Sequence, residues 1–205
     1  SKLRKLYWPI PYNDVLQPLF DKRDRFQRVV VINGNHRPHF GEAEQYSVRI
    51  EAMVTLARSG VVDLFGRGWD RWWSRESMWM PYWRNRRVLM SIWHGECTSK
   101  FEVLSNYDFC LCFENMAMDG LIPEKIFDCF YAGTIPLYLG APDISTYISE
   151  DAYVDCRKFT SWETMWEEVK TMSSAQVDKM RQAGRDFLCG AQGETFYRSL
   201  DEIIR

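Results

Sequence analysis

The stretch YDFCLCFENMAMDGLIPEKIFDCFYAGTIPLYLG, residues 107–140, decides the fold. Its run DFCLCFE at 108–114 is too short and too rich in aromatic residues for a helix, and reads as a buried central strand. A polar loop broken by Gly120 follows. Residues 122–131 then carry helical spacing and stop at Gly133, the residue type that closes helices in a left-handed turn. TIPLYLG at 134–140 is a second short apolar run. Strand, helix and strand in this order form a βαβ unit, so the expected class is α/β with a parallel sheet.

The pattern extends in both directions. RVVVIN at 28–33 reads as the first strand, a helix is expected over 46–58 with Val48, Ala52 and Leu56 on one face, and VVDLFG at 61–66 reads as the second strand. A short helix is expected over 99–106. After the 134–140 strand come a brief edge strand at 151–155 and helices near 161–171, 174–188 and 194–204. The 205 residues suffice for one core, and no internal repeat or linker divides them.

In an open parallel sheet, ligands sit at the carboxyl ends of the strands. Phe113, Glu114 and Asn115 end the 108–114 strand, and Glu124 and Lys125 fall in the first turn of the next helix, where Pro123 fits because its missing N–H is not needed. Lys125 and the free N–H groups of the helix start suit phosphate oxygens. Glu124 suits sugar hydroxyls or a developing positive charge. The plain alternative is that Glu124 only complements the helix dipole.

Composition narrows the partners. A net charge of -2 and a pI near 6.0 argue against a dedicated nucleic-acid binder. The six cysteines contain no CxxC pair, and Cys110 and Cys112 alternate on one face of a strand, so the thiols are expected in the core. His36 and His39 in NHRPH have metal-like spacing without a third ligand, and no Asp-x-Asp stands at a strand end, so no metal is expected. No stretch reaches the roughly 18 apolar residues of a membrane span, and SKLRKLYWPIPY lacks a signal-peptide core. The chain as given reads as soluble: cytoplasmic or membrane-associated in a bacterium, in the Golgi lumen in a eukaryote.

The 107–140 stretch resembles the donor-sugar motif of the α-1,3-fucosyltransferase family, whose members carry FEN, then a Thr-Glu-Lys segment, then an apolar strand ending in glycine. SVRIEAMVTLARSGVVDLFGR at 47–67 resembles the family's arginine-bearing helix leading into a Val-Asp-Val-Phe/Tyr-Gly-Arg strand. The resemblance covers roughly residues 28–155. It implies a Rossmann-like domain, the nucleotide-sugar half of a GT-B glycosyltransferase, that transfers fucose from GDP-fucose to a glycan hydroxyl with inversion. It implies that Arg49 and Lys125 hold the pyrophosphate, that Glu124 contacts the donor sugar or ribose, and that Glu114, Asn115, Gly66 and His36 belong to the donor site. No cofactor is implied beyond the donor substrate. Leu121 stands where the family has tyrosine and Pro123 where it has threonine, so a related transferase using another nucleotide sugar, or a non-catalytic nucleotide- or glycan-binding module, is the alternative.

Residues 1–27 read as an interdomain connection or N-terminal extension, and residues 28–205 as the donor domain with an insertion at about 66–96. Too few residues precede Arg28 for the family's acceptor domain, so either the chain is a fragment or its acceptor site is built from something else, for which the insertion is the candidate. Within the insertion, GRGWDRWWSRESMWMPYWRNRRVLMSIW at 66–93 holds six tryptophans and six arginines. Three readings are open: sugar-stacking faces, a contact with a membrane or acidic partner, or aromatic packing of an irregular segment. Lys100 is a candidate third phosphate cation, and Glu42, Glu44, Glu76 and Glu96 are candidate substitute bases.

Overall fold

The computed structural model describes residues 24–38, 43–71, 73–75 and 78–197. Five strands form one parallel sheet in the order β2-β1-β3-β4-β5: β1 Phe26–Ile32, β2 Val62–Phe65, β3 Tyr107–Phe113, β4 Ile135–Leu139 and β5 Val154–Asp155. Helices α1 Tyr46–Arg58, α2 Met80–Ile92, α3 Lys100–Leu104, α4 Glu124–Ala132, α5 Trp162–Val169, α6 Ser174–Cys189 and α7 Ala191–Tyr197 cover its faces. The expected α/β architecture is therefore present. Residues 1–23, most of the expected N-terminal connection, lie outside the described residues, as does the end of the 194–204 helix.

Burial on both faces explains why the strands read as continuous apolar runs. Along β1, Val29 and Val31 join the core under α1 and α5, while Val30 joins the opposite core under α4 and α6. Along β3, Phe109, Leu111 and Phe113 face the first core, and Cys110 and Cys112 the second. Those two thiols, with Cys129 and Cys156, are buried as expected, whereas Cys97 is half-buried and Cys189 exposed.

Two local differences have clear causes. Helix α4 starts at Glu124, with Pro123 at its N-cap in an extended conformation, rather than at residue 122. Its end follows the expectation: Gly133 adopts φ 66°, the left-handed closure a side chain would strain. The stretch 66–96, read as an irregular insertion, holds the regular 13-residue helix α2. Pro81 sits in its first turn, and Tyr82, Leu89 and Ile92 are buried against the α1 side of the sheet. Beyond α2 the chain returns beside β2: the His94 N–H donates to the Leu64 carbonyl at 2.8 Å and the Gly66 N–H to the Gly95 carbonyl at 2.9 Å.

The aromatic residues of that stretch divide. Trp69, Trp79 and Tyr82 are buried and serve the packing reading. The Trp69 indole N–H donates to the Asn33 carbonyl at 2.8 Å, the Trp79 indole N–H to Asn35 Oδ1 at 3.2 Å, and the Tyr82 hydroxyl to the Trp69 carbonyl. Trp73 and Trp83 are exposed. No helix among the described residues is long and apolar enough to cross a membrane.

Because Trp69 fills the core and also ties the 33–35 loop, Trp69→Ala is expected to cost about 3–5 kcal/mol of stability, the range for truncating a buried aromatic residue. Urea unfolding of the two proteins checks this; a loss under about 1 kcal/mol would show that Trp69 is not part of the core.

Candidate functional site

A cavity of about 450 Å³ opens at the carboxyl ends of β1, β2 and β3, within the range of small-molecule sites. Asn33, Gly34 and His36 after β1, Gly66 and Arg67 after β2, Glu96 and Cys97 before α3, Asn115 after β3, and Glu124, Lys125 and Asp128 of α4 line it. Cys110, Cys112 and Cys129 contribute to its apolar floor. Of the residues expected at the site, Gly66, His36, Asn115, Glu124 and Lys125 thus share one cavity.

Gly66 is there because nothing larger fits. Its φ is 136°, and a Cβ would lie 2.1 Å from the Asn33 carbonyl oxygen. This close approach holds the turns after β1 and β2 together at the cavity rim, and the Asn33 N–H donates across it to the Phe65 carbonyl at 2.9 Å.

Glu114 does not line the cavity. It is fully buried at the end of β3, where its Oε2 accepts from Lys125 Nζ at 2.6 Å, and its Oε1 has no hydrogen-bond partner among the described residues. Burial raises its pKa above the ordinary carboxylate value, against the opposing pull of Lys125. Gly140 makes room for it: a Cβ there would stand 2.6 Å from Glu114 Cγ and 2.4 Å from the Tyr138 hydroxyl.

Arg49 is also set back from the cavity wall. It is 2 % exposed, and its Nη2 donates to the carbonyls of Phe113 at 2.6 Å and Glu114 at 2.9 Å and to Asn115 Oδ1 at 3.3 Å. Its Nη1 is buried with no hydrogen-bond partner among the described residues. Arg49 instead lines a small adjoining cavity of about 10 Å³ that shares Asn33, Gly34 and His36 with the main one. Burial lowers its pKa, opposed by the nearby Glu114 charge.

Three cation–carboxylate pairs surround the main cavity: Lys125–Glu114, Lys100–Asp128 at 2.6 Å and Arg67–Glu96 at 3.0 Å. Arg67 and Asp128 escape sequence reasoning. Asp128 lies one helical turn beyond Glu124 and Lys125, a spacing that could have signalled it. Glu44, a candidate base, is committed to the start of α1: its Oε2 accepts from the Tyr46 and Ser47 N–H groups at 2.6 and 3.0 Å. His39, Glu42 and Glu76 lie outside the described residues. No group of metal-ligating side chains occurs among the described residues.

An open parallel sheet with a cavity at its strand ends is the arrangement in which Rossmann-like domains hold their ligands. Comparison with known proteins narrows the class. A family model for glycosyltransferase family 10 (fucosyltransferase), C-terminal part, matches residues 39–181, and the chain belongs to that family. It is 31% identical over 105 residues to the α-(1,3)-fucosyltransferase FucT of Helicobacter pylori and 29% identical over 105 residues to an α-(1,4)-fucosyltransferase of Arabidopsis thaliana. The first match covers 50% of this chain and 22% of the relative, the second 49% and 25%. The chain therefore matches about a quarter or less of the length of these relatives. A crystal structure of an α1,3-fucosyltransferase with GDP-fucose superposes with a TM-score of 0.51 at 18% identity, over 80% of this chain and 40% of that one. The fold is that of a GT-B glycosyltransferase domain.

Asp63 of β2 accepts from Arg28 Nε at 2.8 Å and lies 2.9 Å from His94 Nε2, two residues before Glu96. Burial would raise the Asp63 pKa, but the bonds from Arg28 and His94 more than offset it and hold the carboxyl below 3.8. Its contribution to stability is present above the unfolded value of 3.8 and is lost as pH falls through the lower folded value. Asp63→Asn is expected to lower the melting temperature at neutral pH and to flatten the acid limb below about pH 4. An acid limb identical to that of the parent protein would refute this.

Proposed function

We propose that this chain is the donor-binding half of a fucosyltransferase that holds GDP-fucose at the β1–β2–β3 strand ends and passes fucose, with inversion, to a glycan hydroxyl. The observation that carries the reading is the convergence of Asn115, Glu124 and Lys125 on one cavity, with Arg49 and Glu114 fixing the strand end behind them. Family membership and the relatives named for fucose transfer support GDP-fucose as the donor. The relatives differ in the linkage they are named for, so the acceptor hydroxyl is left open.

The residues divide the work as follows. Lys125 has three N–H donors and spends one on Glu114, which leaves two for diphosphate oxygens. Lys100 and Arg67 stand on the same cavity wall and add positive potential. Negative charge grows on the GDP leaving group as the glycosidic bond breaks, so cations fixed beforehand lower the barrier. Glu124 sits where it can accept from donor-sugar hydroxyls or face the oxocarbenium-like carbon. Arg49 holds the Phe113 and Glu114 carbonyls and Asn115, and its unmatched Nη1 is the atom that a phosphate oxygen would satisfy after a small movement of the 33–36 loop.

GDP titrated into the folded chain should bind, and Lys125→Ala should weaken binding by about 1–3 kcal/mol, the scale of a lost charge-assisted hydrogen bond. Equal affinity in the variant would remove Lys125 from the phosphate site. Replacing GDP-fucose by GDP-mannose or a UDP-sugar separates the donor from its competitors: tighter binding of either would favour another nucleotide sugar.

Arg49→Lys should fail on two counts, since a lysine cannot serve two carbonyls and an amide at once. It is expected to weaken GDP binding and to destabilise the fold by about 1–3 kcal/mol, because buried carbonyls lose their donor. A stable variant with full affinity would reduce Arg49 to a packing residue.

A further inference from the structure

Four of the six exposed large apolar side chains among the described residues lie within eleven positions: Trp73 at 65 %, Met78, Met80 at 58 % and Trp83. Arginines interleave with them. Arg71, Arg75, Arg84 and Arg87 are all exposed. On α2, Met80, Trp83, Arg84 and Arg87 recur at the spacing of a single stripe, while Tyr82, Leu89 and Ile92 occupy the buried side. The helix therefore has two apolar faces, one spent on the core and one turned outward with cations along it.

Charge sets this face apart from the rest of the chain. Residues 67–87 contain six arginines against Asp70 and Glu76, in a chain whose net charge is -2. An anionic surface attracts this side and repels the remainder, which fixes orientation as well as contact. Trp and Met interleaved with arginine is the composition that enters a lipid headgroup layer. A sugar site fits less well, because two of the four apolar residues are methionines, which offer a pyranose neither a flat face nor a strong hydrogen bond.

We propose that the exposed side chains named above form a docking surface for an anionic membrane, with Trp73, Met78, Met80 and Trp83 entering the headgroup region and Arg71, Arg75, Arg84 and Arg87 meeting lipid phosphates and carboxylates. The segment carrying them starts at Arg67, on the donor-cavity wall, so docking sets the cavity mouth beside the bilayer. Glycans carried on lipids or on membrane proteins are the acceptors such an orientation presents. The surface stands independently of nucleotide binding, and either can fail alone.

The intact chain is tested against vesicles of phosphatidylcholine with and without phosphatidylserine. The expected result is co-sedimentation with the anionic vesicles only, release by salt, and a blue shift of tryptophan emission on contact. Replacing Arg71, Arg75, Arg84 and Arg87 by Gln should weaken the partition by about fivefold per arginine, and Trp73→Ser with Trp83→Ser should abolish the emission shift. These side chains are exposed, so both variants should keep the parent circular dichroism and melting temperature. Absence of binding to anionic vesicles, equal binding to neutral ones, or unaltered binding by the folded arginine variant would overturn the proposal. Sedimentation velocity showing a dimer that the tryptophan variant splits would assign the face to a second copy instead.

Discussion

The end of β3 is a place where charge is buried before any ligand arrives. Glu114 is sealed from solvent with Lys125 at 2.6 Å on one side and the Arg49 guanidinium, bonded to the carbonyls on either side of the strand's last peptide, on the other. Each of the three alone would be costly to bury. Together they tie α1, β3 and α4 to one point, and the direction in which Asn115 leaves the strand follows from it. Such a cluster is poor material for stability and good material for geometry: the lysine ammonium is positioned by a partner that cannot move.

The neighbouring turns are fixed by a different device. Gly66 lets the backbone after β2 press on Asn33, Trp69 and Trp79 donate to the same loop, and Trp93 Nε1 closes the edge by donating to the Gly66 carbonyl at 2.9 Å. Tryptophan suits this role, since one residue fills volume and places a donor several ångströms from its backbone. Ion pairs thus stand on the cavity's wall, while the indoles hold the 33–35 and 66 turns from outside it.

The sequence made the strands, α1 and α4 legible because their signals are local: apolar runs of strand length, a glycine stop, and a proline before a helix. Glu124, Lys125, Asn115 and Gly66, which line the strand-end cavity, stood out for the same reason, being adjacent to those boundaries. Helix α2 was not. Its buried positions Tyr82, Leu89 and Ile92 are sparse, and the outward Met80 and Trp83 blur the amphipathic contrast on which helical periodicity depends. The depth of Arg49 was also hidden, since nothing in its helical position distinguishes a guanidinium reaching a ligand from one reaching two carbonyls. Pairing partners such as Asp128 and Glu96 become visible only when α4 and the 93–97 segment converge in space.

That pairing bears on how the cavity meets an anion. Every cation named on its wall already has a carboxylate, so an incoming diphosphate does not find bare charge; it must share donors or displace Asp128, Glu96 or Glu114. The three pairs differ in how readily they yield. Arg67 and Glu96 are largely exposed and held weakly by water-screened attraction, so exchange there costs little. Glu114 is sealed off and Asp128 is largely buried at the cavity's edge, so Lys125 and Lys100 are held more firmly in place. An anion bound on those terms meets placed donors rather than mobile charges, which favours a ligand whose oxygens match the fixed spacing over one that is merely negative.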